Sequence, residues 1–335
     1  MRKSRFDFLE LGDELPIPEP DVLGAPEKPK IRPELLRGAR LAVVEVIGER
    51  GERLGQFGFP MGVCCDFEGN LYVADTWQHR VQKITPDNKV YGYGGYGREL
   101  GKFCNPSAVA VDTRQIIYIL EMGNHRVQKL GQDGFYFCTF GGQGREPGLL
   151  QAPEDMCLDF WNNVIVADTG NHRIQVFDPN GRWQQEWLAR EAGGFRFPKG
   201  VFADSEGRVI VCDSGNNRLV FLDLRGNVQQ IIEGGVGTKR KFSLPVSAKV
   251  DADGNLWVVD AEQMQLIKLS PEGERLAAFG PNLGATGKLR DPRSLAIDPD
   301  GDLYLSDSGN HRVLKLGYRA ARPRGYAPGE STPPA

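Results

Sequence analysis

The four histidines of this 335-residue chain, His79, His125, His172 and His311, each stand four residues after an acid and directly before an arginine. Histidine beside a carboxylate can transfer protons or, with further ligands, hold a metal. The acids are Asp75, Glu121, Asp168 and Asp307, and the arginines are Arg80, Arg126, Arg173 and Arg312. A fifth copy of the phrase runs from Asp213 to Asn217-Arg218, with no histidine. A sixth, from Asp260 to Gln263-Met264-Gln265, has neither histidine nor arginine. An active site needs its acid and base once, in one place. Here the set recurs, so all four histidines and five arginines read first as structure. A guanidinium can pair with a carboxylate and reach loop carbonyls with its remaining donors. An imidazole can fill a loop hydrogen bond.

The recurrence comes from the elements that carry these residues. Pro60, Pro106, Pro153, Pro198, Pro245 and Pro292 lie 46, 47, 45, 47 and 47 residues apart. After each proline comes an apolar run ending in Asp, a turn, a second apolar run, the polar loop, and a third apolar run. Val63-Cys64-Cys65, Leu71-Tyr72-Val73-Ala74 and Val81-Gln82-Lys83-Ile84 show the pattern, and a fourth run follows at Val90 to Tyr93. Short runs with evenly spaced turn signals predict antiparallel strands. A period of this size predicts a repeat architecture. The fold class expected is all-β: a six-bladed β-propeller of four-stranded antiparallel blades. The last repeat lacks a fourth run, while Leu41 to Ile47 precedes the first proline and looks like one. The N-terminal strand is therefore expected to complete the last blade, which removes exposed sheet edges.

The phrase Asp-(Ser/Thr)-Gly-Asn-His-Arg-(Val/Ile), seen at Asp168–Ile174 and Asp307–Val313, resembles the NHL repeat. The resemblance covers about residues 40–316 and implies a six-bladed propeller. Family members include protein-interaction modules, RNA-binding domains and extracellular sensors, and related propellers include metal-dependent hydrolases and lyases. The resemblance does not choose among these functions. The first repeat departs from it with Trp77 in the glycine slot, and the fifth with Gln263-Met264-Gln265.

Polar residues in slots where the repeats disagree are the better candidates for function. Glu154, Lys199 and Arg293 follow their prolines directly, Asp155 lies one residue further, and Asn105 and Asp291 precede theirs. All should rim one mouth of the central channel. The resemblance implies a calcium mouth in related hydrolases, and oxygen ligands suit that hard ion. Lys199 and Arg293 would oppose a cation, so no cofactor is expected and calcium is kept only as the alternative. Lys249 is odd in a slot that elsewhere holds Cys64, Ala110, Cys157, Phe202 and Ala296. It is expected to reach the channel or to neutralise an acid. The strand-end acids Asp66, Asp112, Asp159, Asp204, Asp251 and Asp298 read as turn caps.

The domain reading is an acidic, proline-rich extension over 1–38, the propeller over 39–316 and an Arg/Pro-rich tail over 317–335. Both ends read as disordered on composition. Positions 6–27 hold seven acids, four prolines and no base, and begin Phe6-Asp7-Phe8-Leu9-Glu10-Leu11. Aromatics beside acids can dock a partner. Net charge is −3, which gives no polyelectrolyte argument for nucleic acid, and Lys239-Arg240-Lys241 is one isolated basic triplet. No secretory signal or 18-residue apolar stretch is found, so a cytoplasmic protein without a membrane span is expected. The six cysteines show no CxxC spacing. The function expected is a non-catalytic binding or scaffold propeller for a protein partner. The alternatives are an RNA-binding propeller and a metal-dependent hydrolase or lyase with its site at the channel mouth. The oligomeric state is not readable.

Overall fold

The computed structural model describes residues 40–235 and 241–319. The readings of the extension 1–38, of the tail beyond Arg319, and of Lys239 and Arg240 lie outside the described residues. Six sheets of four antiparallel strands make up the architecture. Five are built in chain order. The sixth borrows: Arg40–Ile47 pairs antiparallel with Arg312–Arg319, placing Leu41 opposite Tyr318 and Ile47 opposite Val313. The N-terminal strand thus closes the ring. That last strand runs to Arg319, past the expected border at 316.

Each blade buries its second strand at every position. Leu71–Asp75 is buried at every position, whereas the outer strand Arg275–Phe279 is mostly exposed. The apolar cores lie between blades. Tyr72, Val81 and Tyr93 of blade one meet Val109, Ile119 and Leu130 of blade two. Val63 and Val73 of blade one meet Ala296, Tyr304 and Val313 of blade six across the closing seam. No blade can bury such faces alone, so the ring stands or falls as a unit.

Two local devices fix where side chains point. The strand-end acids turn the chain: Asp66 Oδ1 accepts from the N–H groups of Glu68 and Asn70, and Asp298 does the same for Asp300 and Asp302. The prolines interrupt the ladder, because proline has no N–H to give. In blade one the pairing jumps from Pro60–Asp75 to Val63–Val73, and blades two, four, five and six jump likewise. Such bulges re-aim side chains. They turn the residues after each proline toward the axis.

Candidate functional site

The inner strands begin, and the Asp-to-Arg loops sit, on one face of the ring, here called the upper face. Asp75 Oδ1 accepts from Gly58 N–H at 2.6 Å, and Asp168 Oδ1 from Gln151 N–H at 2.7 Å. Each loop acid thereby holds the link that enters its own blade. The arginine beside it extends the grip. Arg173 Nε donates to Asp168 at 2.8 Å, and its terminal nitrogens donate to Glu186 and to the carbonyls of Glu146 and Leu149. Arg80, Arg126 and Arg218 grip the links of their blades in the same manner. Arg312 bonds only Asp307 among the described residues.

The histidines face the next blade. His79 Nδ1 accepts from Asn105 N–H at 3.0 Å, His125 from Ala152 N–H at 2.9 Å, and His172 from Phe197 N–H at 3.0 Å. The accepting nitrogens must be unprotonated, which agrees with burial lowering the pKa of His79 and His125. The accepted N–H belongs to a residue with positive φ: 50° at Asn105, 42° at Ala152 and 46° at Phe197. Asn105 therefore sits at a seam between blades and is not among the residues lining the channel cavity.

That cavity, on the axis, is lined by Glu154, Asp155, Lys199, Arg293, Met61, Ser107 and neighbours. It measures about 20 Å³. That is room for about one water. Lys199 donates to Glu154 across the blade boundary, and Arg293 pairs with Asp291 at 2.9 Å. Of the residues read as the rim, Glu154, Asp155, Lys199 and Arg293 line this cavity, whereas Asn105 and Asp291 do not. Asp155 Oδ2 accepts from Val201 N–H at 3.0 Å. Burial pushes its carboxyl up to about 6, against the pull of Lys249 and two backbone N–H groups. Lys249 lies below the rim, its amine 4.6 Å from the centre of the Phe202 ring. Burial pushes the thiols of Cys64 and Cys157 up to about 12, so neither is poised as a nucleophile. Among the described residues, no three His, Cys, Asp or Glu side chains cluster as a metal would need.

At the fourth histidine the pattern breaks. Between blades six and one, Phe59 takes φ 125° instead of about 50°. His311 Nδ1 is buried and has no hydrogen-bond partner. Trp77 occupies the slot where Gly170, Gly215 and Gly309 stand in other blades, each with a link carbonyl within 2.8 Å of where a Cβ would go. The blade-one link avoids that clash through Gly58 and the changed backbone at Phe59. Phe59 and Trp77 then stack, with centroids 4.7 Å apart and planes 12° apart. Trp77 meets His311 edge-on at 5.9 Å and is 56% exposed. Arg50 and Arg290 flank His311 and depress its pKa further than burial alone, with Asp75 opposing them. Neither arginine has an ion pair among the described residues. Two other aromatics crown histidines on this face: Tyr96 lies 4.8 Å from His79 and Phe197 4.3 Å from His172. The repeat pattern singles out Trp77 in its glycine slot but not Arg50 or Arg290. The available signal was Gly58, the one glycine at its link position.

The NHL repeat family matches residues 103–130, 150–177, 195–220 and 289–316. The chain carries NHL repeats. The four matched segments are blades two, three, four and six; blade five, whose loop departs most, and blade one, with Trp77 in the glycine slot, lie outside them. No curated protein matches the sequence. Among solved structures, the NHL propeller is similar to a streptogramin B lyase at 13% identity and TM-score 0.59, covering 85% of this chain and 99% of that one. It is similar to virginiamycin B lyase from Staphylococcus aureus at 12% identity and TM-score 0.58, covering 83% and 99%. A gluconolactonase from Xanthomonas campestris is similar at 16% identity and TM-score 0.61, covering 84% and 97%. At these identities the likeness is one of fold. No helix among the described residues is long and apolar enough to cross a membrane.

Proposed function

We propose that this NHL propeller is a non-catalytic binding module that presents its upper face to a protein partner. The observation that carries the reading is the closed channel mouth. Lys199 pairs with Glu154 and Arg293 with Asp291, and about 20 Å³ is left between them. An organic substrate needs roughly 300 Å³ or more. A divalent ion would have to displace Lys199 from Glu154. The same face exposes Trp77 and Tyr96, at 56% and 74%, together with Phe197. Trp, Tyr and Arg are the residues that dominate protein interfaces. Six free cysteines suit a reducing compartment, and we place the protein in the cytoplasm on that ground.

Affinity capture with the full chain tests this against a Tyr96→Ala/Phe197→Ala bait that unfolds at the same temperature. A saturable protein partner held by the first and lost by the second is expected. Equal capture by both overturns the reading. So does purified protein that carries stoichiometric calcium and turns over a lactone.

A further inference from the structure

The seam between blades six and one combines features found at no other described seam. Trp77 offers an indole that is more than half exposed, backed by Phe59. Arg50 and Arg290 are exposed cations without carboxylate partners among the described residues, both near enough to His311 to act on it electrostatically. His311 Nδ1 is buried and its neighbours do not use it. A flat ring with adjacent unpaired guanidinium groups selects a ligand that carries an aromatic ring beside a carboxylate. Ring stacks on ring, and the planar fork takes the acid.

This chain contains such a ligand. Phe6-Asp7-Phe8-Leu9-Glu10-Leu11 opens a stretch with seven acids and no base between positions 6 and 27. We propose that this segment docks in cis on the seam, a ring of Phe6 or Phe8 against Trp77 and the acids Asp7 and Glu10 toward Arg50 and Arg290. The chain's path permits it. The strand Arg40–Ile47 belongs to blade six, one wall of the seam. Its eight residues climb about 26 Å from the lower edge, at Arg40, to the upper, at Ile47. The residues between Leu11 and Arg40 can span up to about 100 Å when extended, so reach does not limit docking. Tethering places the segment near the seam at an effective concentration in the millimolar range. The proposal rests on the reading of the upper face as a peptide-binding surface. It makes the segment an intramolecular guard that an external acidic, aromatic peptide must displace.

The test uses the full chain and a labelled synthetic peptide of residues 4–15, read by fluorescence anisotropy. The Phe6→Ala/Phe8→Ala chain has lost its own ligand and is expected to bind the peptide. The wild-type chain should bind at least about tenfold more weakly, because its own segment competes. Adding Trp77→Ala, or Arg50→Glu with Arg290→Glu, to the double variant should abolish binding. These side chains are exposed, and an unchanged unfolding temperature confirms the fold. No peptide binding by the double variant overturns the proposal, as does equal binding by wild type and double variant. So does binding that survives Trp77→Ala together with both arginine changes. A wild-type deficit that vanishes on dilution puts the segment on a second copy and overturns the cis assignment. Single-stranded RNA that binds the seam where the peptide does not gives the site to nucleic acid. None of these outcomes depends on whether capture finds an external partner, so the two failures can be told apart.

Discussion

The loops of blades three and six are spelled almost alike, Asp168-Thr-Gly-Asn-His-Arg173 and Asp307-Ser-Gly-Asn-His-Arg312, yet they do different work. In blade three, Arg173 uses three nitrogens on four acceptors and His172 holds the next blade through Phe197 N–H. In blade six, Arg312 meets Asp307 alone and His311 holds nothing. The hydroxyl bond to the next blade's proline survives in both, from Thr169 to Pro198 and from Ser308 to Pro60. The residues that differ are not in the phrase but opposite it: the link that Arg312 faces, and Phe59 with its altered φ. A repeated phrase supplies donors and acceptors; the neighbouring blade decides which are used. Where it declines them, a polar atom is left unpaired and an aromatic surface exposed.

The largest expected effect tests the regular side of that contrast. Asp168 is fully buried, and Arg173 is 6% exposed at its side chain. Arg173→Ala strands the carboxylate and should cost about 3–5 kcal/mol in urea unfolding. The sharper comparison is lysine, which keeps the charge but loses the fork. Arg173→Lys should cost about 2 kcal/mol, and Arg312→Lys less than about 1, since only one bond is at stake. Equal costs at the two positions would break the contrast.

The next effect concerns the same slot in each blade's inner strand, Asp155 in blade three and Ser294 in blade six. Both accept from the next blade, Asp155 from Val201 N–H at 3.0 Å and Ser294 from Val63 N–H at 3.3 Å. Only Asp155 can ionise. Its carboxyl stands at about 6 in the fold against an ordinary 3.8, so the fold prefers the protonated form. That stability is fully present below about pH 3.8 and is lost as pH rises through 6. Because the channel cavity brings water near, we expect a loss of about 1–3 kcal/mol rather than more. Between pH 5 and pH 7.5 the wild type should therefore fall in stability relative to Asp155→Asn. Ser294→Ala should shift stability by the same amount at every pH. Parallel curves for wild type and Asp155→Asn would remove the electrostatic distinction between the blades.

How much of this was legible in the sequence follows from how local each feature is. The ring was legible because Pro60, Pro106 and their counterparts, and the turn acids from Asp66 to Asp298, act on their own few residues. The closing strand was legible because Leu41 to Ile47 is an unpaired copy of a run that the last repeat lacks. The rim charges Glu154, Asp155, Lys199 and Arg293 were legible as departures from the repeat, but their mutual pairing was not. Glu154 and Lys199 are 45 residues apart and meet only because adjacent blades place equal slots side by side. Asn105 and Asp291 were placed at the mouth because their slot precedes a proline; neither lines the cavity, and the Asn105 N–H donates to His79. The seam at Trp77 depends on a backbone angle at Phe59, which no residue type announces.

The smallest effect is the most discriminating. His172→Ala removes the acceptor from Phe197 N–H and is expected to cost about 1 kcal/mol. His311→Ala removes an imidazole whose Nδ1 accepts from nothing, and should lie within about 0.5 kcal/mol of wild type. Two histidines in one slot of one repeat would then differ in stability because of one neighbouring φ. Phe59→Gly adds a second reading of the same cause. A glycine there can return to the φ near 50° seen at Asn105, Ala152, Phe197 and Asp291 at no steric cost. That would carry its N–H toward His311 Nδ1, while the stacking partner of Trp77 is lost. If the seam differs from the rest only through that backbone angle, His311→Ala should cost more in the Phe59→Gly background than alone. An identical cost in both backgrounds would mean that the orphaned nitrogen has a cause other than Phe59, and the contrast between the two blades would have to be rebuilt from Arg50 and Arg290.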